Sequence, residues 1–524
     1  MRAFTGTQVR EAERPLLAAG QGPALMRRAA WGLAEHVAAV LRARGRVSGA
    51  TVAALVGTGN NGGDALWALA FLRRRGVEAV AVPVVRDDDG APRWHAEGAA
   101  ALRAAEGRVA DAVPARAAVV VDGILGTGAR GALTLPAAAR DLPAGAVVVA
   151  CDVPSGADAD TGGVAGEVLA AAHTVTFGAV KTGLLLGAGA AAAGRVHLVD
   201  IGLGPHLPPE PRTGLHGVDR AAVRRLHPAP APDAHKYTRG VVGLAAGSQR
   251  YPGAAVLAVG GALGAGAGMA HLAGPAAAQD LVLAAHPAAL ASADGPEPDR
   301  ADAWVVGPGL GADAEARARL ERVLDAVSAA GREPAGAPAV VVDASALELV
   351  TAEQLTALAA SGARVVLTPH AGEWARLRDR LPVAGAKDAD AGGAGELERL
   401  RAWAAAHRVT VLLKGPRTLV AAPDGEAWLM RDGGPALGTA GTGDVLAGVL
   451  GAVLAADRAR AVRAGGPSPA AGRPSTAALA AAAAWLHARA GTGPAAGRGA
   501  VADALPAAVG TVTAALWWED DGRE

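Results

Sequence analysis

The stretch TVAALVGTGNNGGDALWAL, Thr51 to Leu69, decides how the first half of this chain folds. Thr51 to Val56 is a short run of Val, Leu and Ala, the pattern of a strand buried on both faces. The turn GTGNNGGD, Gly57 to Asp64, follows at once, and a helix then runs through Leu72. Strand, glycine-rich turn and helix in that order open a doubly wound α/β layer. Glycines let backbone approach a phosphate closely, and the helix start offers free N–H groups to an anion. A tight strand-to-helix turn with no ligand has the same letters, so the stretch must be weighed with its neighbours.

Working outward, a helix beginning near Pro23 repeats apolar residues at Leu25, Ala29, Leu33, Val37 and Leu41, the spacing of one buried face. Val-rich strands are expected at Glu78 to Val85, Ala117 to Val121, Val147 to Cys151, Thr174 to Phe177 and Val196 to Val199. Prolines 205, 208, 209, 211, 228, 230 and 232 then break the pattern between Gly204 and Asp233, which marks a domain boundary. Strands resume at Val241 to Ala245, Trp304 to Val306, Val340 to Val342, Val365 to Leu367 and Val409 to Leu413. Two α/β domains are expected, residues 1–212 and 213–524. Val383 to Gly395 and Ala464 to Pro474 read as insertions without chemistry.

Composition narrows the partners. Of 524 residues, 51% are hydrophobic but only 3% aromatic, so the cores must be built from Ala, Val and Leu, and a disordered or fibrous chain is excluded. Fifty basic residues balance fifty acidic ones, which supplies no general pull toward nucleic acid or an anionic membrane; small molecules are the expected ligands. Cys151, alone, rules out a disulfide framework and a Cys-rich zinc site. Met1 to Gln8 lacks the layout of a signal peptide, and a cytoplasmic setting is expected. The uncharged run Gly253 to Gln279 reads as buried helix and turn, since its glycines argue against a membrane span. A homo-oligomer is left open.

Ligands in such folds sit beyond the carboxyl ends of the strands. Three consecutive strand ends of the first half deliver Asn60, Asn61 and Asp64, then Asp122 in DGILGTGAR, then Asp152 and Ser155 in CDVPSG. These are mostly oxygen ligands and hydrogen-bonding groups, and they read as one site. The motifs resemble the YjeF amino-terminal family of NAD(P)H-hydrate epimerases: NNGGDG appears as NNGGDA with Ala65 last, DxxFGTG has Leu125 in place of Phe, and DxPSG is intact. The resemblance implies that Asn60, Asn61, Gly62, Gly63 and Asp64, with Gly126, Thr127, Gly128, Ala129, Arg130, Gly131, Ala132 and Asp152, hold the hydrated dinucleotide. It implies potassium on Asn61, Asp122 and Ser155, and Asp152 as the catalytic carboxylate, shuttling a proton while the C6 hydroxyl of a hemiaminal leaves and returns on the other face. Lys181 is read either as a phosphate contact or as a solvated surface lysine. The same domain type also serves as a binding scaffold, so the fold alone does not make an enzyme.

In the second half, GTAGTGDVLAGVL, Gly438 to Leu450, opens a helix with small residues and puts Asp444 in its first turn. Upstream, VLLKGPRTLVAA is a strand, a turn with Lys414 and a returning strand. With AAGSQRYPGAAVLA, DAWVVGPGLG and LTPHAGEWARL, these resemble the ribokinase-like ADP-dependent NAD(P)H-hydrate dehydratases, and the joined halves resemble the bifunctional NAD(P)H-hydrate repair enzymes. The resemblance implies Asp444 as catalytic base; Ala254, Gly309, His370 and Asp444 on the hydrate; Lys414, Gly415, Pro416, Arg417, Thr418 and Gly443 on ADP; and Mg2+ with the phosphates. It further implies NADHX and NADPHX as substrates, and AMP and phosphate as products beside NAD(P)H. The family's HKG stands here as His235, Lys236, Tyr237, and its DADAL begins Asp343, Ala344, Ser345. His370 and Glu373 do not form HExxH, and no zinc is expected there. The alternative is a ribokinase-like small-molecule kinase fused to a non-catalytic YjeF-type domain, since the same constellation serves ordinary phosphoryl transfer.

Overall fold

The computed structural model describes residues 3–129, 131–209, 214–296, 300–331, 336–383, 395–430, 435–464, 473–492 and 502–519. Arg130 and the cores of the two expected insertions, 384–394 and 465–472, lie outside them. The chain divides into two compact units, with the main division between Leu215 and His216.

Among the described residues the N-terminal unit has nine strands: β1 (Ala3–Phe4), β2 (Thr51–Val56), β3 (Glu78–Pro83), β4 (Arg108–Val109), β5 (Ala117–Gly123), β6 (Val147–Cys151), β7 (His173–Phe177), β8 (Val180–Lys181) and β9 (Arg195–Val199). Seven form one parallel sheet in the order β4-β3-β2-β5-β6-β7-β9, while β1 and β8 pair separately. The chain starts in the middle at β2, winds outward one way, then crosses to β5 and winds out the other. The crossing point between β2 and β5 opens a crevice at the strands' carboxyl ends. Helix Gly22–Ala43 buries Leu25, Ala29, Leu33, Val37 and Leu41 against this sheet, as its periodicity requires. β3 stops at Pro83 rather than running to Val85: Pro83 has no N–H to give the ladder, and the Val84 N–H bonds to Val56 O as the chain leaves the sheet.

The C-terminal unit repeats the plan. Its strands are β10 (Leu215–Gly217), β11 (Val241–Ala245), β12 (Met269–Ala273), β13 (Leu290–Ser292), β14 (Ala303–Val306), β15 (Ala339–Val342), β16 (Val365–Leu367), β17 (Thr410–Leu413), β18 (Thr418–Ala421) and β19 (Ala427–Met430). Their order is β10-β19-β18-β17-β16-β15-β14-β11-β12-β13, parallel from β13 to β17, with β17, β18 and β19 joined antiparallel. β12 corrects the reading of Gly253 to Gln279 as helix and turn: the run holds helix Gly253–Gly264, then a strand, then the start of helix Ala276–Ala285. An apolar stretch without alternation carries no signal that separates a buried strand from a buried helix. Among the described residues, no helix is long and apolar enough to cross a membrane.

The core of this unit is mostly Ala, Val and Leu. Helices Gly253–Gly264 and Thr442–Arg463 pack backbone against backbone: a Cβ on Gly261 would lie 2.3 Å from Val445 O, and one on Gly448 would lie 1.9 Å from Ala258 O. The two helices carry Ala254 and Asp444 in their first turns, so the contact fixes those two positions relative to each other.

Candidate active sites

In the N-terminal unit the turn after β2 becomes the start of helix Asn60–Arg73. Gly62 is demanded by a close approach, since a Cβ there would lie 2.2 Å from Gly57 O. Ala65, the departure from NNGGDG, is accommodated because it faces Gly123, which has no Cβ of its own to clash. Asn61 donates from Nδ2 to Leu125 O at 2.8 Å and thereby ties the β2 loop to the β5 loop.

Asp122, at the end of β5, is fully buried. It accepts from Ser155 N at 2.8 Å, Ser155 Oγ at 2.6 Å and Ile124 N at 3.3 Å. Burial pushes its carboxyl up to about 6, against these neutral donors. Ser155 Oγ, on the buried carboxylate, also meets Leu125 N and Leu125 O, and Asn61 joins the chain at Leu125 O.

Asp152 sits just past β6 with φ +65, a left-handed backbone that Asp tolerates better than most residues. Its carboxylate takes the Lys181 ammonium at 2.5 Å, Thr176 Oγ1 at 3.1 Å and the Thr127 hydroxyl. Burial alone would raise its pKa, but Lys181 and these donors outweigh that and hold it below the usual carboxylate range. Lys181 is 1% exposed and is held by Thr176 and Phe177 O as well, so the reading of a solvated surface lysine is corrected. It lies on β8, whose pairing with β1 places it opposite Phe4.

A cavity of about 670 Å³ opens over these groups, lined by Asn60, Asn61, Asp64, Thr127, Asp152 and Lys181 among others. Gly126, Gly128 and Ala129 also line it. Gly131 and Ala132 are exposed beyond it, and Arg130 is outside the described residues. Two acids to which the sequence assigns no proton chemistry face inward with their pKa raised by burial: Glu13, and Asp64, whose Oδ1 is shut away from solvent.

In the C-terminal unit Gly441 adopts φ +89 at the cap of helix Thr442–Arg463, a conformation that favours glycine. The free N–H groups of the first turn point outward there. Thr442 fixes the turn by donating to Leu437 O at 2.8 Å and Thr439 O at 3.0 Å. His487, buried and held neutral with a pKa of about 4 by its burial, donates from Nε2 to Thr442 O at 2.8 Å. Only the fold brings that histidine to the turn, across 45 residues of sequence.

Lys414, past the end of β17, is drawn into this place. Its ammonium contacts Asp343 Oδ1 at 2.7 Å and Glu373 Oε2 at 3.9 Å, and a Cβ on Gly443 would meet it at 3.3 Å. Burial lowers its pKa, but Asp343, Glu373 and Asp444 together outweigh burial and raise it above the ordinary lysine value. Asp343 also takes the Thr368 hydroxyl at 2.7 Å. Asp444 is pushed up to about 7, first by burial and then by Asp343 and Glu373, with Lys414 opposing. His370 caps helix Ala371–Arg380 in a reciprocal box with Glu373, and it bridges to Lys414 in the backbone. Ser345 Oγ accepts from Gly311 N at 3.3 Å, so the departure from DADAL serves the β14 loop.

The structure thus gathers Asp444, Gly443, Lys414 and His370, with Asp343 and Glu373 added to the expected set. Ala254 and Gly309 form a second group, close enough that a Cβ on Gly309 would meet the Ala254 methyl at 2.6 Å. Leu257 links the groups, its Cδ1 lying 2.6 Å from where a Gly441 Cβ would be. Gly415 and Pro416 are exposed in the β17–β18 turn, flanked by Arg417 and the buried Thr418.

Comparison with known proteins agrees with both halves. Residues 22–183 match the family of YjeF-related protein N-termini, and residues 242–511 match the NAD(P)H-hydrate dehydratase family. The bifunctional NAD(P)H-hydrate repair enzyme Nnr of Mycobacterium tuberculosis is 44% identical over 452 residues, 85% of this chain and 88% of that protein. The Nnr of Mycobacterium leprae is 42% identical over 458 residues, 86% of this chain and 89% of that one. A crystal structure of the ADP/ATP-dependent NAD(P)H-hydrate dehydratase of Bacillus subtilis, co-crystallized with ATP/Mg2+, is 25% identical, covers 57% of this chain and 97% of its own, and gives a TM-score of 0.43. With its two sheets, its two clusters at the strand ends and relatives matched over most of their length, the chain belongs to the family of bifunctional NAD(P)H-hydrate repair enzymes.

Proposed function

We propose that residues 1–212 interconvert the R and S forms of NADHX and NADPHX, and that residues 213–524 dehydrate the S form to NAD(P)H with ADP. One observation carries the reading: each unit sets a carboxylate against a lysine at the carboxyl ends of its strands, the buried pair Asp152 and Lys181 in one and the half-buried Asp444 and Lys414 in the other.

In the epimerase half, the hydrate's C6 hydroxyl leaves as water after gaining a proton, with the ring nitrogen's electron pair assisting, and water returns on the opposite face. Asp152, held ionised by Lys181, accepts the proton of the returning water and passes it on to the next leaving hydroxyl. The loops of Asn60 to Asp64 and Gly126 to Ala132 hold the dinucleotide. Asn61, Asp122 and Ser155 fit a potassium ion, because the donors are oxygens and the buried Asp122 carboxylate has only neutral hydrogen-bond donors around it. Such an ion, when bound, supplies the charge that keeps Asp122 ionised.

In the dehydratase half, Asp444 takes the proton of the C6 hydroxyl as that oxygen bonds to the terminal phosphorus of ADP and the P–O bond to AMP breaks. The first-turn N–H groups after Gly441 and the Lys414 ammonium hold the phosphoryl charge. The C6–O bond of the resulting phosphate ester then breaks, the ring nitrogen supplying electrons, and loss of the C5 proton restores the dihydropyridine. Lys414, Gly415, Pro416, Arg417, Thr418 and Gly443 bind the nucleotide; Ala254, Gly309 and His370 seat the hydrate. Magnesium fits beside Asp343 and Glu373, whose carboxylates are hard oxygen donors, and when bound it neutralises phosphate charge. A buried, isolated Cys151 is in keeping with a cytoplasmic enzyme.

The test is recovery of dihydronicotinamide absorbance from mixed-epimer NADH hydrate, with ADP, with ATP or without nucleotide. Full recovery with ADP and Mg2+ is the expected result. Recovery stopping at the share of one epimer would remove the epimerase assignment, and a stable phosphorylated product would replace the dehydratase with a kinase.

A further inference from the structure

Away from both sites, three histidines from three elements of the N-terminal unit converge: His36 on helix Gly22–Ala43, His173 on β7 and His197 on β9. Two periodicities bring them together. Gly32 and His36 are one helical turn apart, and His197 and Val199 are one strand repeat apart, so each pair shares a face. Gly32 packs so tightly on β9 that a Cβ there would lie 2.5 Å from both Val199 methyls, which sets His36 over His197. β7 and β9 run parallel with Val175 opposite His197, and this leaves His173 on the same face, one diagonal step away.

The rings meet closely. Centroids are 3.9 Å apart for His36 and His197 and 4.9 Å for His36 and His173, while His173 Nδ1 and His197 Nε2 are 3.1 Å apart. One ring nitrogen from each histidine lies within 4.8 Å of the other two. The His36 Nε2 is buried and has no hydrogen-bond partner among the described residues.

We propose that His36, His173 and His197 form a binding site for one divalent transition ion of the zinc class, with water completing its coordination. Nitrogens bound at about 2.0–2.1 Å in a tetrahedral arrangement lie about 3.3 Å apart. The His173–His197 pair already has that spacing, and the His36 nitrogen, within 4.8 Å of both, would have to draw in to complete the set. Burial keeps all three imidazoles below their ordinary pKa, so they are neutral near pH 7, and the hydrogen bond between His173 and His197 would give way to the ion as its donor ring moves the proton to its other nitrogen. Three imidazoles suit Zn2+, Co2+, Ni2+ or Cu2+ and not Mg2+, which takes oxygen. Arg195, whose charge bears on His173 and His197, opposes any cation and favours one that bonds nitrogen strongly. The ion would clamp helix Gly22–Ala43, which gives Leu25, Met26 and Ala29 to the wall of the cavity, onto β7, which ends at Phe177 on the same wall.

The full chain, stripped of metal with a chelator, is titrated with Co2+. One equivalent per chain is expected to give the intense visible bands of a four-coordinate site, bleached by Zn2+ and untouched by Mg2+, and Zn2+ should raise the unfolding temperature. His36→Gln and, separately, His197→Asn should lose the bands, while His407→Gln in the other unit keeps them. On the unmutated chain, one equivalent of Zn2+ should protect His36, His173 and His197 from diethyl pyrocarbonate, read by peptide mass, which decides the matter even if the variants fail to fold. Weak six-coordinate bands, bands that survive His36→Gln, or no protection of the three histidines would overturn the proposal.

Discussion

Replacing Asp444 tests the dehydratase chemistry most directly, because the structure gives this carboxyl an unusual pKa for stated reasons. At about 7, roughly one tenth of it is ionised at pH 6 and nine tenths at pH 8. If the ionised form is the base, turnover at saturating hydrate and ADP rises about tenfold across that interval. An aspartate at its ordinary value would be fully ionised throughout, and the profile would be flat. Glu373→Gln removes a charge that raises this pKa and should move the rise toward acid; Lys414→Gln removes one that lowers it and should move the rise toward alkali. Asp444→Asn should cost at least about a hundredfold in turnover. The same substitution should also stabilise. A carboxyl whose folded pKa is raised favours folding least when ionised, so its cost is absent below the unfolded value of 3.8 and grows as pH climbs to 7. At pH 8 the Asn variant should gain up to about 4 kcal/mol in denaturant unfolding, and almost nothing at about pH 3. A flat rate profile between pH 6 and 8, or an Asn variant of unchanged turnover, would refute the assignment of Asp444 as the base.

In the N-terminal unit, Lys181→Met strands the buried Asp152 carboxylate and should destabilise this unit by about 3–5 kcal/mol, measured by denaturant unfolding, while S-epimer dehydration continues and R-epimer consumption stops. Gly62→Ala puts a methyl 2.2 Å from Gly57 O and should abolish epimerisation, followed by NMR of the two epimers, without touching ADP-dependent dehydration of the S form. Cys151 is buried and its thiol pKa is pushed well above the ordinary value, so a chromogenic disulfide should label it only after guanidinium unfolding; rapid labelling of the native chain would contradict that burial.

The parallel layers were legible because both domains announce them through Val-rich strands set before glycine turns. Two of the strands that escaped notice did so for a physical reason. Met269–Ala273 lies in an unbroken apolar run, and Leu290–Ser292 is too short and too exposed for its pattern to differ from a loop. At the sites, residues at or shortly past the end of a strand were readable, as Asp122, Asp152, His370 and Lys414 illustrate. Partners delivered from elsewhere were not: Lys181 is tied to Asp152 by the small β1–β8 pairing, and His487 reaches Thr442 from a distant helix. Motif spacing reports the groups that chemistry needs, whereas the groups that set their protonation are known only once the chain is folded.

The backbone contacts at Gly261 and Gly448 reverse the usual hazard of mutation in a protein interior. Cores rich in large side chains are damaged mainly by truncation, which leaves holes. Here the interior residues have little left to lose, so most single-base changes at these positions add atoms where none fit. Each added methyl between the two helices would move the start of one against the start of the other, and the first quantity to suffer would be the distance between Asp444 and Ala254. In this chain, damage to catalysis should therefore come from crowding well before the fold itself gives way.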